Sequence, residues 1–159
     1  MSCVIREMRD HEAGAVADMV RQLARDTAAG VVPKLTGDGL LSSRDLIDAV
    51  VAVEDHILLG ACLGLMTYST WRGARGLYIV DLFVSGKARG RNIGRRLLRE
   101  AARRAAEKGA RFIKLEVDHG NPGAARFYSR AGFHKKDDDR LFILEQDRFK
   151  DFIAMGDAT

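Results

Sequence analysis

Scarcity shapes the first reading of this chain. It has two cysteines, two prolines and one tryptophan, and aromatic residues make up only 7%. Cys3 and Cys62 lie far apart and form neither a CxxC pair nor a Cys/His ligand spacing. A disulfide scaffold and a metal centre are therefore not expected, and a reduced, cytoplasmic setting is. So little proline, and glycine without a three-residue period, exclude a collagen. No apolar N-terminal run resembles a signal peptide. The longest uncharged stretch, residues 57–71, holds 15 residues broken by two glycines and three aliphatic hydroxyls. It is too short and too mixed to span a membrane. Two phosphate-binding signatures are missing as well. GxxxxGK(S/T) would mark a nucleotide-hydrolysing loop and GxGxxG a dinucleotide fold, and the chain has neither.

What is present is an ordinary globular composition, 47% hydrophobic and 30% charged. A chain of 159 residues sets the expectation of a single domain over 1–159 with a core of its own. The net charge of +4 is unevenly placed: residues 1–86 carry net −3, residues 87–104 net +7, and residues 105–159 net zero. The middle block sets Lys87, Arg89, Arg91, Arg95, Arg96, Arg99, Arg103 and Arg104 against Glu100 alone. Charge so confined implies one anionic partner at one place, not a general affinity for polyanions.

Hydrophobic periodicity divides the chain without repeats or linkers. Residues 3–6 read as a strand. Asp10 is placed to cap a helix with Val16, Met19, Val20 and Leu23 on one face. Residues 31–41, with Pro33, Gly37 and Gly39, read as a loop. Ser42 or Ser43 then caps a short helix through Ala49. Residues 50–53 and 57–70 form a hairpin around Glu54-Asp55-His56. Residues 77–84 are mostly apolar around Asp81, the pattern of a central strand covered on both faces. A helix over residues 93–108 turns Ile93, Leu97, Leu98, Ala101, Ala102 and Ala105 inward, with Glu100 four residues before Arg104. Gly109 ends it. Residues 112–117 form a strand, residues 121–130 a helix with Pro122 in its first turn, and residues 141–144 a last strand. Phe149, Phe152 and Ile153 mark a helical tail. The fold class is α/β (α+β): one central mixed sheet, mostly antiparallel, flanked by helices.

The sharpest chemical signal is Arg89-Gly90-Arg91-Asn92-Ile93-Gly94, between a strand and a helix. A helix start offers unpaired N–H groups and the positive end of the dipole. Gly90 and Gly94 let the backbone approach an anion, and Asn92 is the next best residue for a positive φ. Arg89 and Arg91 add charge at the same spot. These features describe a pyrophosphate cradle. Taken alone, the block is also readable as a surface helix whose arginines solvate one face.

A second signal, Asn121-Pro122-Gly123-Ala124-Ala125-Arg126-Phe127-Tyr128 running on to Gly132-Phe133, follows the next strand. Together the two segments resemble the GNAT N-acetyltransferase superfamily. Its Arg/Gln-x-x-Gly-x-Gly/Ala acetyl-CoA loop falls on Arg89, Asn92 and Gly94, with Asn92 where glycine is usual. Residues 77–84, the start of the chain and residues 140–142 are similar to the diamine (spermidine/spermine) acetyltransferases. Those enzymes carry a Glu-Asp pair where this chain has Val80-Asp81. The resemblance implies a sheet splayed between its fourth and fifth strands, acetyl-CoA as cosubstrate, and a homodimer. It implies that the arm of the cosubstrate runs along Leu82, Phe83 and Val84. The head then lies on Arg89, Gly90, Arg91, Asn92, Ile93, Gly94 and Arg95, with Asn121 and Ala124 also in contact.

The implied reaction is direct acetyl transfer to a primary amine, a small cationic one such as a polyamine or an amino-acid-like amine. Two protons must move. An alkyl ammonium with a pKa of about 10 must lose one, and the departing thiolate must gain one. The resemblance implies Tyr128 as the acid. The base is open among Asp81, Glu116 and His119, with the first two preferred. Asp81 sits in an apolar strand, where an unpaired carboxylate is costly. Glu116 faces away from Leu115 and Val117. Each also has a plain structural role open to it, as core aromatic, hydrogen-bond acceptor or solvent-facing residue. Neither cysteine has a histidine partner in a recognisable motif, so no covalent acyl-enzyme is expected. Other readings are a protein lysine or N-terminal acetyltransferase, a silent acetyl-CoA sensor, and a nucleic-acid-binding basic helix. The last has few aromatics for stacking, and a nucleic acid partner is not expected. Replacing Gly94 by Glu should abolish acetyl-CoA binding by calorimetry, and unchanged affinity would refute the loop assignment.

Overall fold

The computed structural model describes residues 2–156. Two compact units divide it, the first ending at Ala125 and the second beginning at Arg126.

The first unit is built on a five-stranded sheet of order β1-β2-β3-β4-β5. Its strands are β1 (Val4–Glu7), β2 (Asp48–Glu54), β3 (Ile57–Ser69), β4 (Ala74–Val84) and β5 (Ala110–Lys114). Strands β1 to β4 are antiparallel neighbours, and β5 runs parallel to β4. The helices are α1 (Ala13–Asp26), α2 (Gly37–Ser42) and α3 (Ile93–Glu107), and α4 (Pro122–Arg130) begins here. Asp55 and His56 both take positive φ, 50° and 65°, the mirror-image turn whose twist suits a two-residue hairpin.

Strand alternation sorts the apolar side chains onto two faces. Ala49, Val51, Ala61 and Leu63 pack with Val16 and Val20 of α1 and Leu40 of α2 in one buried cluster. The intervening Val50, Ala52 and Cys62 are equally buried and belong to the face of α3. There Leu97 Cδ1 lies 3.0 Å from the position a Cβ on Gly60 would take. Ile93, Leu97, Leu98, Ala101 and Ala105 are the buried stripe of α3, as the periodicity predicts.

Four local expectations change. Glu12, not Asp10, satisfies the start of the first helical segment: its carboxylate accepts from the Arg9 N–H at 2.8 Å and binds Arg6 at 2.6 and 3.0 Å. The second helix starts earlier, at Gly37, because the Thr36 hydroxyl accepts from the Gly39 N–H at 3.0 Å. Gly37 and Gly14 there approach so closely that a Cβ on Gly37 would sit 3.0 Å from the Gly14 backbone. Residues 43–49 therefore make a turn and the start of β2, not a helix. Glu100 pairs with Arg103 at 2.6 Å, while Arg104 reaches across to Asp48 at 2.7 Å. Strand β5 stops at Lys114, before Glu116, where its pairing with β4 ends.

The second unit holds the end of α4 and α5 (Gln146–Ala154). Helix α4 closes on Gly132, φ 100°, with the Phe133 N–H donating to the Tyr128 carbonyl at 3.0 Å, a left-handed C-cap. Tyr128 meets Phe127 and Phe133 edge-on, with ring centroids 5.1 and 5.4 Å apart. The strand expected over residues 141–144 is not formed. A strand needs a ladder partner, and this unit has no other strand among the described residues.

Gly60 faces both the Phe83 carbonyl oxygen, 2.5 Å from a notional Cβ, and Leu97 of α3. The Gly60→Ala variant should lose about 1–3 kcal/mol of stability, read as a lower urea midpoint at unchanged slope.

Candidate active site

Strand β4 ends at Val84, a single 3-10 turn covers Gly86–Ala88, and the loop then enters α3. Gly90 has φ 79° and Asn92 φ 62°, so both adopt the left-handed backbone their residue types favour. Asn92 is the N-cap of α3, and its side chain makes no capping hydrogen bond. The first-turn N–H groups have no intrahelical partner either. This is the anion-accepting geometry that the loop sequence calls for.

The basic block is not bare charge, however. Arg91 donates to both oxygens of Glu54 at 2.6 and 3.2 Å. Arg89 donates to Asp26 at 2.6 Å and, from Nε, to the Val84 carbonyl at 3.3 Å. Arg104 donates to both Asp48 oxygens at 2.7 and 2.8 Å, and Arg96 to the Cys3 carbonyl at 2.8 Å. Asp26 is held below the usual carboxylate range by the Gln22 amide and then by Arg89. Glu54 is held down by Arg91. The surplus visible along the chain is thus largely offset by carboxylates that the fold brings in from β1, β2 and α1. Among the described residues Lys87, Arg95 and Arg99 make no ion pair.

The second component is an opened strand edge. Pairing of β4 with β5 ends at Tyr78–Lys114, while pairing of β4 with β3 continues to Val84–Gly60. The Ser85 N–H donates to the Leu59 carbonyl at 2.8 Å. Antiparallel pairs alternate between bonded and non-bonded, so Phe83 and Asp81 also turn their main-chain groups toward β3. Leu82 and Val84 turn theirs to the open edge. Of the three residues expected to contact the cosubstrate arm, Phe83 differs from the other two: its main chain faces β3 within the sheet and its side chain is buried.

The third component is a cluster that strict alternation would not reveal. Gly64 pairs with Ile79 and Leu63 with Asp81, so the register slips by one residue and Val80 is left opposite nothing. The slip places Asp81 on the face of Leu63 and Tyr78 on the face of Leu65, which is the same face. Burial pushes the Asp81 carboxyl up to about 6. The Tyr78 hydroxyl is raised by burial and then by the Glu116 carboxylate near it, with Asp81 adding a further push. Asp81, Tyr78 and Glu116 thus share one neighbourhood. Sequence reasoning singled out the two carboxylates and missed Tyr78, since no pattern marks a slip at Val80.

The remaining expected residues divide. The Asn121 side-chain oxygen accepts from the Ala124 N–H at 3.1 Å, so this pair caps the start of α4. Tyr128 lies in the second unit, within its aromatic trio. His119 is exposed. Cys62 is buried, and its thiol is pushed up to about 12 by burial, which keeps it protonated and unreactive. A cavity of about 640 Å³ opens at the other end of α3, lined by Arg44, Asp48, Leu65, Met66, Arg104 and Lys108 among others. None of the residues expected to bind acetyl-CoA or to move protons lines it. Among the described residues no cluster of His, Cys, Asp or Glu is placed to hold a metal ion, and no helix is long and apolar enough to cross a membrane.

Comparison with known proteins agrees with this geometry. The profile of the Acetyltransferase (GNAT) family matches residues 19–133, and the chain belongs to that family. It is similar to thialysine N-epsilon-acetyltransferase of Mus musculus, 27% identical over 140 residues that make up 80% of this chain and 82% of the relative. The Sus scrofa enzyme of the same name is 26% identical over 82% of this chain and 84% of its own. Among solved structures, an integron cassette protein from the mobile metagenome of V. cholerae superposes with TM-score 0.78 at 20% identity, over 98% of this chain and 99% of that one. A predicted acetyltransferase from Clostridium acetobutylicum, solved with acetyl-CoA, superposes with TM-score 0.73 at 17% identity, over 90% of this chain and 97% of that one. The protein is an acetyltransferase with the GNAT fold, a mixed sheet whose β4 and β5 are parallel and whose other pairs are antiparallel.

A carboxyl raised by folding binds its proton more tightly in the native state. The contribution of Asp81 to stability therefore falls as pH rises through the window between 3.8 and about 6 and is level above it. The Asp81→Asn variant should gain on the parent across that window, by about 2 kcal/mol at its upper end. Urea midpoints near the two ends check it, and a constant difference would rule out a raised Asp81.

Proposed function

We propose that the protein transfers acetyl from acetyl-CoA directly to the primary amine of a small cationic molecule, polyamine-like or amino-acid-like. The observation that carries this is the place of Asp81. Its carboxyl, raised to about 6, lies on the face of Tyr78 and is followed at once by the main-chain groups of Leu82 on the opened edge.

The division of labour we propose joins these positions to the family resemblance, which supplies Tyr128 as the acid. The first-turn N–H groups of α3, with Arg89, Gly90, Arg91, Asn92, Ile93, Gly94 and Arg95 around them, hold the diphosphate. Leu82 and Val84 pair with the arm, and the Leu82 N–H polarises the thioester carbonyl. Asp81, ionised above its pKa, takes a proton from the bound ammonium through water. The amine nitrogen then bonds to the carbonyl carbon and the C–S bond breaks. Tyr128 gives the leaving sulfur its proton and regains one as the new amide nitrogen sheds its second proton to it through water. Glu116, near Tyr78, adds negative charge that favours a cation. The names of the thialysine N-epsilon-acetyltransferase relatives support an amino-acid-like amine. Val80, 44% exposed, stands where the diamine enzymes carry a second carboxylate, and that favours a substrate with one ammonium near this point. A single-domain, cytoplasmic homodimer with no metal completes this reading.

A thiol-release assay over polyamines, lysine-like amino acids, aminoglycosides and a lysine peptide tests it. Release with a small cationic amine is expected; release with the peptide alone would overturn the substrate class. In the same assay Tyr128→Phe should lower turnover by about 10²-fold or more with acetyl-CoA binding unchanged. Turnover equal to the parent at every pH removes Tyr128 from the proton path.

A further inference from the structure

Two carboxylates converge on the cosubstrate loop from outside it. Asp26 is the last residue of α1 and Glu54 the last of β2. Each binds one of the loop arginines, at 2.6 Å in both cases. We propose that Asp26 and Glu54 are positioning residues that latch Arg89 and Arg91 in competition with the diphosphate, so that CoA is held less tightly and released faster. The proposal rests on the acetyl-CoA reading of this loop.

The geometry favours exchange over permanent pairing. Arg89 and Arg91 are 57% and 44% exposed, and ion pairs so placed are weak and readily traded. The carboxylates are not free to follow. The Gln22 side-chain amide donates to the other Asp26 oxygen at 2.7 Å, and Glu54 precedes the tight Asp55-His56 turn. When the diphosphate takes Arg89, Asp26 is left at the negative end of α1 facing another anion, an unfavourable position. Glu54 loses a bidentate partner at the same time. Arg89 also caps the Val84 carbonyl, one of the edge groups the arm needs, so the latched arginine blocks two parts of the cosubstrate site together. These costs fall only on the bound state, and they lower affinity for acetyl-CoA and CoA alike.

The test is calorimetric titration of CoA into the parent, Asp26→Asn, Glu54→Gln and the double variant. Glu100→Gln, which breaks the Arg103 pair away from the loop, is the control. Each single variant should bind CoA about three- to ten-fold tighter and the double variant tighter still. The KM for acetyl-CoA should fall with them while the KM for the amine stays put, and Asp26→Glu should return the parent's affinity. Thermal midpoints within the control's range show that folding is not the cause. Unchanged or weaker CoA binding in both single variants overturns the latch. If the parent itself does not bind CoA, the reading of the loop fails instead.

Discussion

Beyond Tyr78, β4 keeps β3 on one edge and, among the described residues, has no strand on the other. A strand edge without a partner is costly inside a protein unless something pairs with it, and here the unpaired stretch lies beside the start of α3. The same break frees Leu82, ends β5 before Glu116, and leaves Asp81 at a place that is neither sheet interior nor open surface. Burial on both faces by α1 and α3 makes β4 rigid up to that point. The opening is thus presented by a fixed element, not by a mobile loop.

The slip at Val80 is a small feature with a large effect. With period two unbroken, Asp81 would share the face of Ile79, against α3, and Val80 would stand beside Tyr78. One extra residue on β4 exchanges them. A carboxylate then shares the face of the Tyr78 hydroxyl, in a setting dry enough to lift its pKa toward the range useful for proton transfer. A buried thiol close by, Cys62, stays protonated in the same core.

Charge follows the same logic of position over total. The cluster of arginines along α3 looks like a free positive surface when written out, yet helix packing points its members at different partners. Arg104 reaches β2, Arg96 the first residues of the chain, and Arg89 and Arg91 the ends of α1 and β2. What remains for an anion is the helix start itself, with its backbone N–H groups and a balance of charges that can be redistributed.

Much was decided by local sequence. The amphipathic stripes of α1 and α3, the hairpin at Asp55-His56, the apolar β4 and the left-handed positions at Gly90 and Asn92 follow from periodicity and residue type, which act over a few neighbours. The loop that would hold a diphosphate was legible for that reason. Other features depend on contacts distant in sequence. The early start of α2 needs two glycines to meet, and residues 141–144 carry a strand pattern without a strand to pair with. Phe83 turns inward because the hydrogen-bond phase is set at Leu59 and Ser85. Asp26, Glu54 and Tyr78 matter only because other elements arrive beside them. Propensity and pattern are short-range quantities, while register, pairing and desolvation belong to the assembled sheet, and the chemistry proposed for Asp81 is of the second kind.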